Sequence, residues 1–264
     1  MIDTHCHLTF PDFAGRLDGV LARANEAGVA GAITISTSSD DCGAALAIAE
    51  GDGRVWCTSG VHPLYTDRGQ PDWTEIERVA RHPRCVAWGE LGLDNHYDRP
   101  ERGVQRRVLA DQLARIEACL ASGLDKPVVV HCRRAVGDLL PILRASTIPA
   151  DRFVFHCFTE PPEDARAVLD FGAMISFTGV ATYKNAPEVL ASAGLVPLDR
   201  IMVETDAPYL SPAPVRGVRP CEPAFAMHTA RFLAEARGEA WDEFHAAINR
   251  NTSRFFGIPP EAAR

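Results

Sequence analysis

The sequence predicts an α/β fold, a (β/α)8 TIM barrel, on three observations. Short apolar runs alternate with helical stretches eight times. The runs are rich in Val, Ile and Phe, as strands buried on both faces are. Residues of metal-ligand type stand at the ends of those runs. At 264 residues the chain suits such a barrel as one domain over 1–264. An open doubly wound sheet is the alternative, but it would more often place a Gly-rich phosphate turn after its first strand, and "DTHCHL" has none.

The first expected strand covers 2–8. Alternation places Asp3, His5 and His7 on one face and Ile2, Thr4, Cys6 and Leu8 on the other. Two imidazoles so spaced can reach one divalent ion. Strands follow at 30–37 ("AGAITIST"), 55–63 ("VWCTSGVHP") and 85–94 ("CVAWGELGLD"), the last with Val86, Trp88 and Glu90 on a shared face. Residues 101–122 carry the clearest helical period, with Val104, Val108, Leu109, Leu113, Ile116 and Leu120 in one stripe. Four more strands are expected at 127–133, 153–158, 173–179 and 201–210. A Pro-rich loop at 211–221, helical segments near 223–236 and 239–249 and the short "SRFFGI" complete the chain.

Composition narrows the function. Hydrophobic residues at 46% and charged ones at 23% are ordinary globular values, and no apolar run nears the roughly 20 residues of a membrane helix. Neither a membrane span nor a signal peptide is expected, and no obligate protein partner is evident. A net charge of −8 argues against a protein-wide basic face, so any phosphate binding must be local. Of 27 basic residues only Lys126 and Lys184 are lysine. The eight cysteines include no Cys-x-x-Cys pair and read as small buried hydrophobes of a cytoplasmic protein.

A barrel of this kind carries its site at the C-terminal ends of the strands. There the sequence places His5 and His7, Glu90, His131, His156 and Asp206, with His62 and Asp94 slightly beyond. Along each strand the apolar residues come first and the polar one last, as in Val129 and His131, Val154 and His156, or Met202, Glu204 and Asp206. Four imidazoles and two carboxylates exceed what one tetrahedral zinc takes and suffice for two divalent ions, with Glu90 or another oxygen between them. Zn²⁺, Mn²⁺ and Mg²⁺ all remain open.

The ordered motifs "DTHCHL", "GVHP", "GELGLD", "VVVHCR", "FHCF", "SFTGVATYKNA", "ETDAPYL" and "NRNTSRFFG" resemble those of the TatD-type metal-dependent hydrolases, almost end to end. The resemblance implies His5, His7, Glu90, His131, His156 and Asp206 as metal ligands, with Glu90 bridging. It implies DNA as the substrate of a nuclease, D-aminoacyl-tRNA being the alternative assigned to other members. Asp206 and Glu90 are the expected catalytic residues, Asp206 also accepting a proton from the attacking water. Arg133, Lys184 and Arg216 are expected to meet a phosphate, and His62, Asp94 and Glu204 to line the substrate site. Asn95, Glu160 and the altered loop "RGVRPCEP" depart from the family pattern without touching a ligand.

Overall fold

The computed structural model describes residues 1–263; Arg264, the last residue of the expected domain, lies outside them. Eight parallel strands run in sequence order: β1 (Ile2–Cys6), β2 (Gly31–Thr34), β3 (Val55–Ser59), β4 (Cys85–Asp94), β5 (Val128–Arg133), β6 (Phe153–Phe155), β7 (Met174–Phe177) and β8 (Ile201–Val203). The sheet closes where the Asp206 amide donates to His5 O (2.8 Å) and the His7 amide to Ala207 O (2.7 Å), with Cys6 bridged to Ala207. This is the (β/α)8 barrel that the alternation predicts.

Nine helices occupy the described chain: α1 (Leu17–Glu26), α2 (Ser39–Gly51), α3 (Trp73–Ala80), α4 (Arg102–Ala121), α5 (Val136–Ala145), α6 (Pro162–Phe171), α7 (Pro187–Leu195), α8 (Ala226–Ala236) and α9 (Trp241–Phe256). Ser38 caps α2 by accepting from the Asp41 amide, and Asp72 caps α3 by accepting from Thr74 and Glu75. The predicted stripe of α4 faces the sheet through buried Val108, Leu109, Leu113 and Ile116. α9 is longer than expected because "SRFF" continues it to Gly257, which ends it in the left-handed region at φ 66°.

The barrel has two apolar regions. One lies between strands and helices. The other fills the lower barrel, where Ile2, Ile33, Trp56, Val86, Val129, Val154, Met174 and Met202 meet Phe255 and Phe256 at the end of α9. No helix of the described residues is long and apolar enough to cross a membrane.

Strict alternation fails on two strands, β1 and β4. The register of β1 against β2 shifts between Asp3 and Cys6, so Ile2 joins the lower interior while His5 still reaches the site. Asp3 turns away from the histidines and accepts from the Thr205 hydroxyl (2.5 Å) and amide (2.9 Å). β4 shifts register twice, against β3 between Cys85 and Ala87, which turns both Val86 and Ala87 inward and Trp88 into the outer core, and against β5 between Trp88 and Leu91, which returns Glu90 to the interior. Gly89, at φ 124°, makes this irregularity, and a Cβ there would come within 2.6 Å of Val129 O.

Candidate metal centre

The strand-end residues converge around one buried carboxylate. Oε1 of Glu90 faces His5 Nε2 and His7 Nε2, both at 3.5 Å. Oε2 faces His156 Nε2 at 2.7 Å, His131 Nδ1 at 3.2 Å and His62 Nε2 at 3.7 Å. Asp206 joins the first group, its Oδ1 lying 3.3 Å from His7 Nε2 and 3.6 Å from His5 Nε2. It stands beyond the end of β8 in the left-handed region, at φ 61°, where its carboxylate meets the cavity. The rings of His5 and His156 stack with centroids 3.8 Å apart, and Phe10 covers His7 at 4.7 Å.

For His7 and His131 a hydrogen bond on the far side of the ring decides which nitrogen offers a lone pair. His7 Nδ1 donates to Ile35 O at 3.2 Å, leaving Nε2 bare toward Glu90 and Asp206. His131 Nε2 donates to Asp94 Oδ2 at 3.1 Å, leaving Nδ1 bare toward Glu90. His156 Nδ1 points at Glu204 Oε1, 3.5 Å away, with Nε2 toward Glu90. Both nitrogens of His5 are buried without a hydrogen-bond partner among the described residues. Imidazoles backed by an acceptor and aimed inward at carboxylates are the donor set that a divalent cation takes, so the residues fit a metal. Sets within ligand reach include His5, His7 and Asp206, and His62, Glu90 and His131.

His62 has the opposite polarity. Its Nδ1 accepts from the Leu64 amide at 2.9 Å, so the neutral ring carries its proton on Nε2, the nitrogen facing Glu90 and His131. Burial takes its pKa down to about 3, which keeps it neutral. His62 therefore presents a donor where the other four present lone pairs.

Burial alone would raise the Glu90 carboxyl, but the surrounding imidazoles, His62 first, then His156, His5 and His131, hold it well below the usual range. Asp206 follows the same logic: burial raises it, and the adjacent imidazoles of His7 and His5 bring it down. Both are carboxylates at neutral pH.

Above the cluster opens a cavity of about 750 Å³, lined by His7, His62, Glu90, His131, His156 and Asp206 at its floor. Phe10, Tyr65, Tyr97, Tyr209, Arg133 and Arg219 form its walls. Among the expected substrate contacts, His62, Asp94 and Arg133 line it. Arg133 sits over the Tyr97 ring at 5.2 Å and donates to its hydroxyl at 3.4 Å. Glu204 does not line it. It is buried behind His156 and spent on Thr4, Ser176 and the Cys157 amide, so it positions an imidazole and meets no substrate. Lys184 and Arg216 also miss the cavity; Arg216 stacks on Tyr183 at 3.9 Å and donates to Asn185. Asn95 and Glu160 lie off the cavity, tied to Asp138 and to the Arg134 amide.

Sequence reasoning misses two groups. Arg219, within the altered loop, reaches the cavity in place of Arg216. Gln105 and Gln112, polar residues on the buried side of α4, hold the site from behind. Gln105 bonds to both backbone groups of Asp94, and Gln112 to both of Val61. Their signal is a polar side chain inside an apolar stripe.

Comparison with known proteins agrees with this geometry. The family model described as TatD related DNase matches residues 2–257. The uncharacterized metal-dependent hydrolase YcfH of Escherichia coli K12 is 36% identical over 262 residues, covering 98% of this chain and 96% of that one. A protein of Enterobacter lignolyticus named 3'-5' ssDNA/RNA exonuclease TatD is 34% identical over 267 residues, covering 98% and 99%. The crystal structure of YJJV, a TatD homolog from Escherichia coli K12, superposes with a TM-score of 0.90 at 32% identity, covering 98% of each chain.

Proposed function

Because the chain belongs to the TatD related DNase family of metal-dependent hydrolases, we propose that it is a nuclease hydrolysing phosphodiester bonds of DNA, and that two divalent ions serve it. One observation carries this reading: the two oxygens of Glu90 face different sets of imidazoles, as a carboxylate shared by two cations requires. His5, His7 and Asp206 would hold one ion, His131 and His156 the other, with Glu90 between them. Zn²⁺, Mn²⁺ and Mg²⁺ all suit nitrogen and carboxylate donors to different degrees.

Divalent cations, when bound, supply Lewis acidity and a nucleophile at neutral pH. The chain's own residues do the rest. Asp206, a carboxylate with an edge in the cavity, accepts the proton that the attacking water gives up. His62 offers its Nε2 proton to an oxygen above Glu90. Arg133 supplies a planar fork of donors for the phosphate, whose charge grows during attack. Asp94 and Glu204 hold His131 and His156 in the tautomers that face inward.

The relative named an exonuclease on single-stranded DNA and RNA supports nucleic acid ends as the substrate. Free cysteines, seven of the eight buried, support a reducing cytoplasm, and the match over 2–257 supports one catalytic domain across 1–264. The test is digestion of 3′- and 5′-labelled single-stranded oligonucleotides by chelator-stripped protein given Mg²⁺, Mn²⁺ or Zn²⁺. Shortening from one end with a restored metal is expected; intact oligonucleotides under all three would overturn the reading.

A further inference from the structure

Two arginines line the cavity, Arg133 at the end of β5 and Arg219 in the loop after β8. Among the described residues neither has a carboxylate partner. Other arginines near these loops in sequence are engaged: Arg216 with Tyr183 and Asn185, Arg106 with Asp138, Arg99 with Glu101. A guanidinium left unpaired above a floor of carboxylates is placed for an anion that enters from solvent.

The loop bearing Arg219 is fastened along its length. Tyr183 Oη donates to Ser211 O (2.9 Å), Ser211 Oγ to Val218 O (2.7 Å), the Ala213 amide to Thr182 Oγ1 (2.8 Å) and the Cys221 amide to Pro208 O (3.0 Å). It also lies directly against Gly179 after β7, where a Cβ would come within 2.1 Å of Leu210 O and 2.7 Å of Pro212 N. Both are backbone atoms, so only glycine permits this approach. Arg219 is thus presented by a fixed loop to the same cavity that Arg133 lines.

A nucleic acid strand brings a phosphate at each step, and a cavity of about 750 Å³ with two guanidiniums free of carboxylate partners on its lining offers anion contacts to more than one of them. Resting on the phosphodiesterase reading, we propose that Arg219 is a specificity-determining residue that holds a phosphate neighbouring the one hydrolysed. The cavity then selects a chain of consecutive phosphates over an isolated phosphodiester, and Gly179 is the positioning residue that allows it.

The experiment compares KM and kcat of the metal-loaded full chain on bis(p-nitrophenyl) phosphate, which has one phosphodiester, and on a single-stranded oligonucleotide. In Arg219→Gln the oligonucleotide KM should rise about tenfold more than the KM of the small diester, as loss of one charge-assisted contact implies. The slope of log affinity against log salt should fall by about 1 for the oligonucleotide. Neutral methylphosphonate linkages flanking the cleaved bond should raise the wild-type KM by a similar factor and add little in Arg219→Gln. Gly179→Ala, which pushes the loop outward, should move the two KM values apart in the same direction. Equal KM shifts on both substrates, or additive effects of the variant and the neutral linkages, would overturn the assignment alone. Absence of wild-type turnover on both would overturn the phosphodiesterase reading and this inference with it.

Discussion

The lower and upper parts of the barrel interior are built from the same strands, and a short advance along each changes their chemistry completely. Val129 gives way to His131, Val154 to His156, and Met202 to Glu204 and then Asp206. Below, apolar side chains pack against one another and against Phe255 and Phe256. Above, charged and imidazole groups are nearly as buried, yet the imidazole nitrogens of His5 lack any hydrogen-bond partner among the described residues. Apolar packing satisfies itself, while a polar cluster with open lone pairs stays costly until a cation fills it. The lower half is built to hold the fold and the upper half to hold ions, so substitutions in the two should fail in different ways.

The largest effect is expected for Glu90→Gln. It keeps the shape and removes the one charge that faces both groups of imidazoles. Elemental analysis should show metal content reduced, and turnover should fall by more than the roughly 10⁴ that loss of a single proton-transfer group costs. His62→Ala should lose less metal, because its inward nitrogen carries a proton. Equal metal loss in the two would refute the division into ligands and donor.

Asp206→Asn comes next. It retains one oxygen for a cation but little basicity, so kcat should fall about 10²–10⁴-fold under saturating metal. Near-normal turnover would remove Asp206 from the proton transfer.

Met202→Ala tests the other half on the same strand. Met202 is fully buried in the lower layer, and its truncation should cost about 2–5 kcal/mol of stability, read by denaturant unfolding. Metal content per folded molecule should be retained. Loss of metal without loss of stability would show that the two halves are not separable.

Much of this division is legible in the amino-acid order alone. Period-two alternation with ligand types at the strand ends marks His131 and His156 because β5 and β6 are regular. It misplaces Asp3 and Trp88 because a register shift reverses the faces, and sequence spacing records no shift. Glu204 shares its strand face with the site yet lies beneath it, spent on Ser176 and Thr4, which depth along the barrel axis decides and periodicity does not. Lys184, Arg216 and Arg219 stand on loops, where side-chain direction follows from tertiary bonds such as that of Arg216 to Asn185.

The smallest predicted effect on turnover concerns a residue that belongs to neither half. Gln112 sits on the outside of the barrel, buried on α4, where Oε1 accepts from the Val61 amide at 2.8 Å and Nε2 donates to Val61 O at 3.0 Å. It serves as a strand partner for the residue before His62, and no backbone group replaces it there. Gln112→Met keeps the volume and leaves two buried polar groups unpaired, at about 1–3 kcal/mol each before any water enters. The cost should be local to the segment carrying His62, so amide exchange at Val61 and Leu64 should accelerate more than exchange in β5 or β6. With His62 as the proposed donor, metal content should hold while kcat drops modestly. If metal is lost instead, His62 and its backbone are part of the ion site, and the polarity assigned to its ring from the Leu64 amide is wrong.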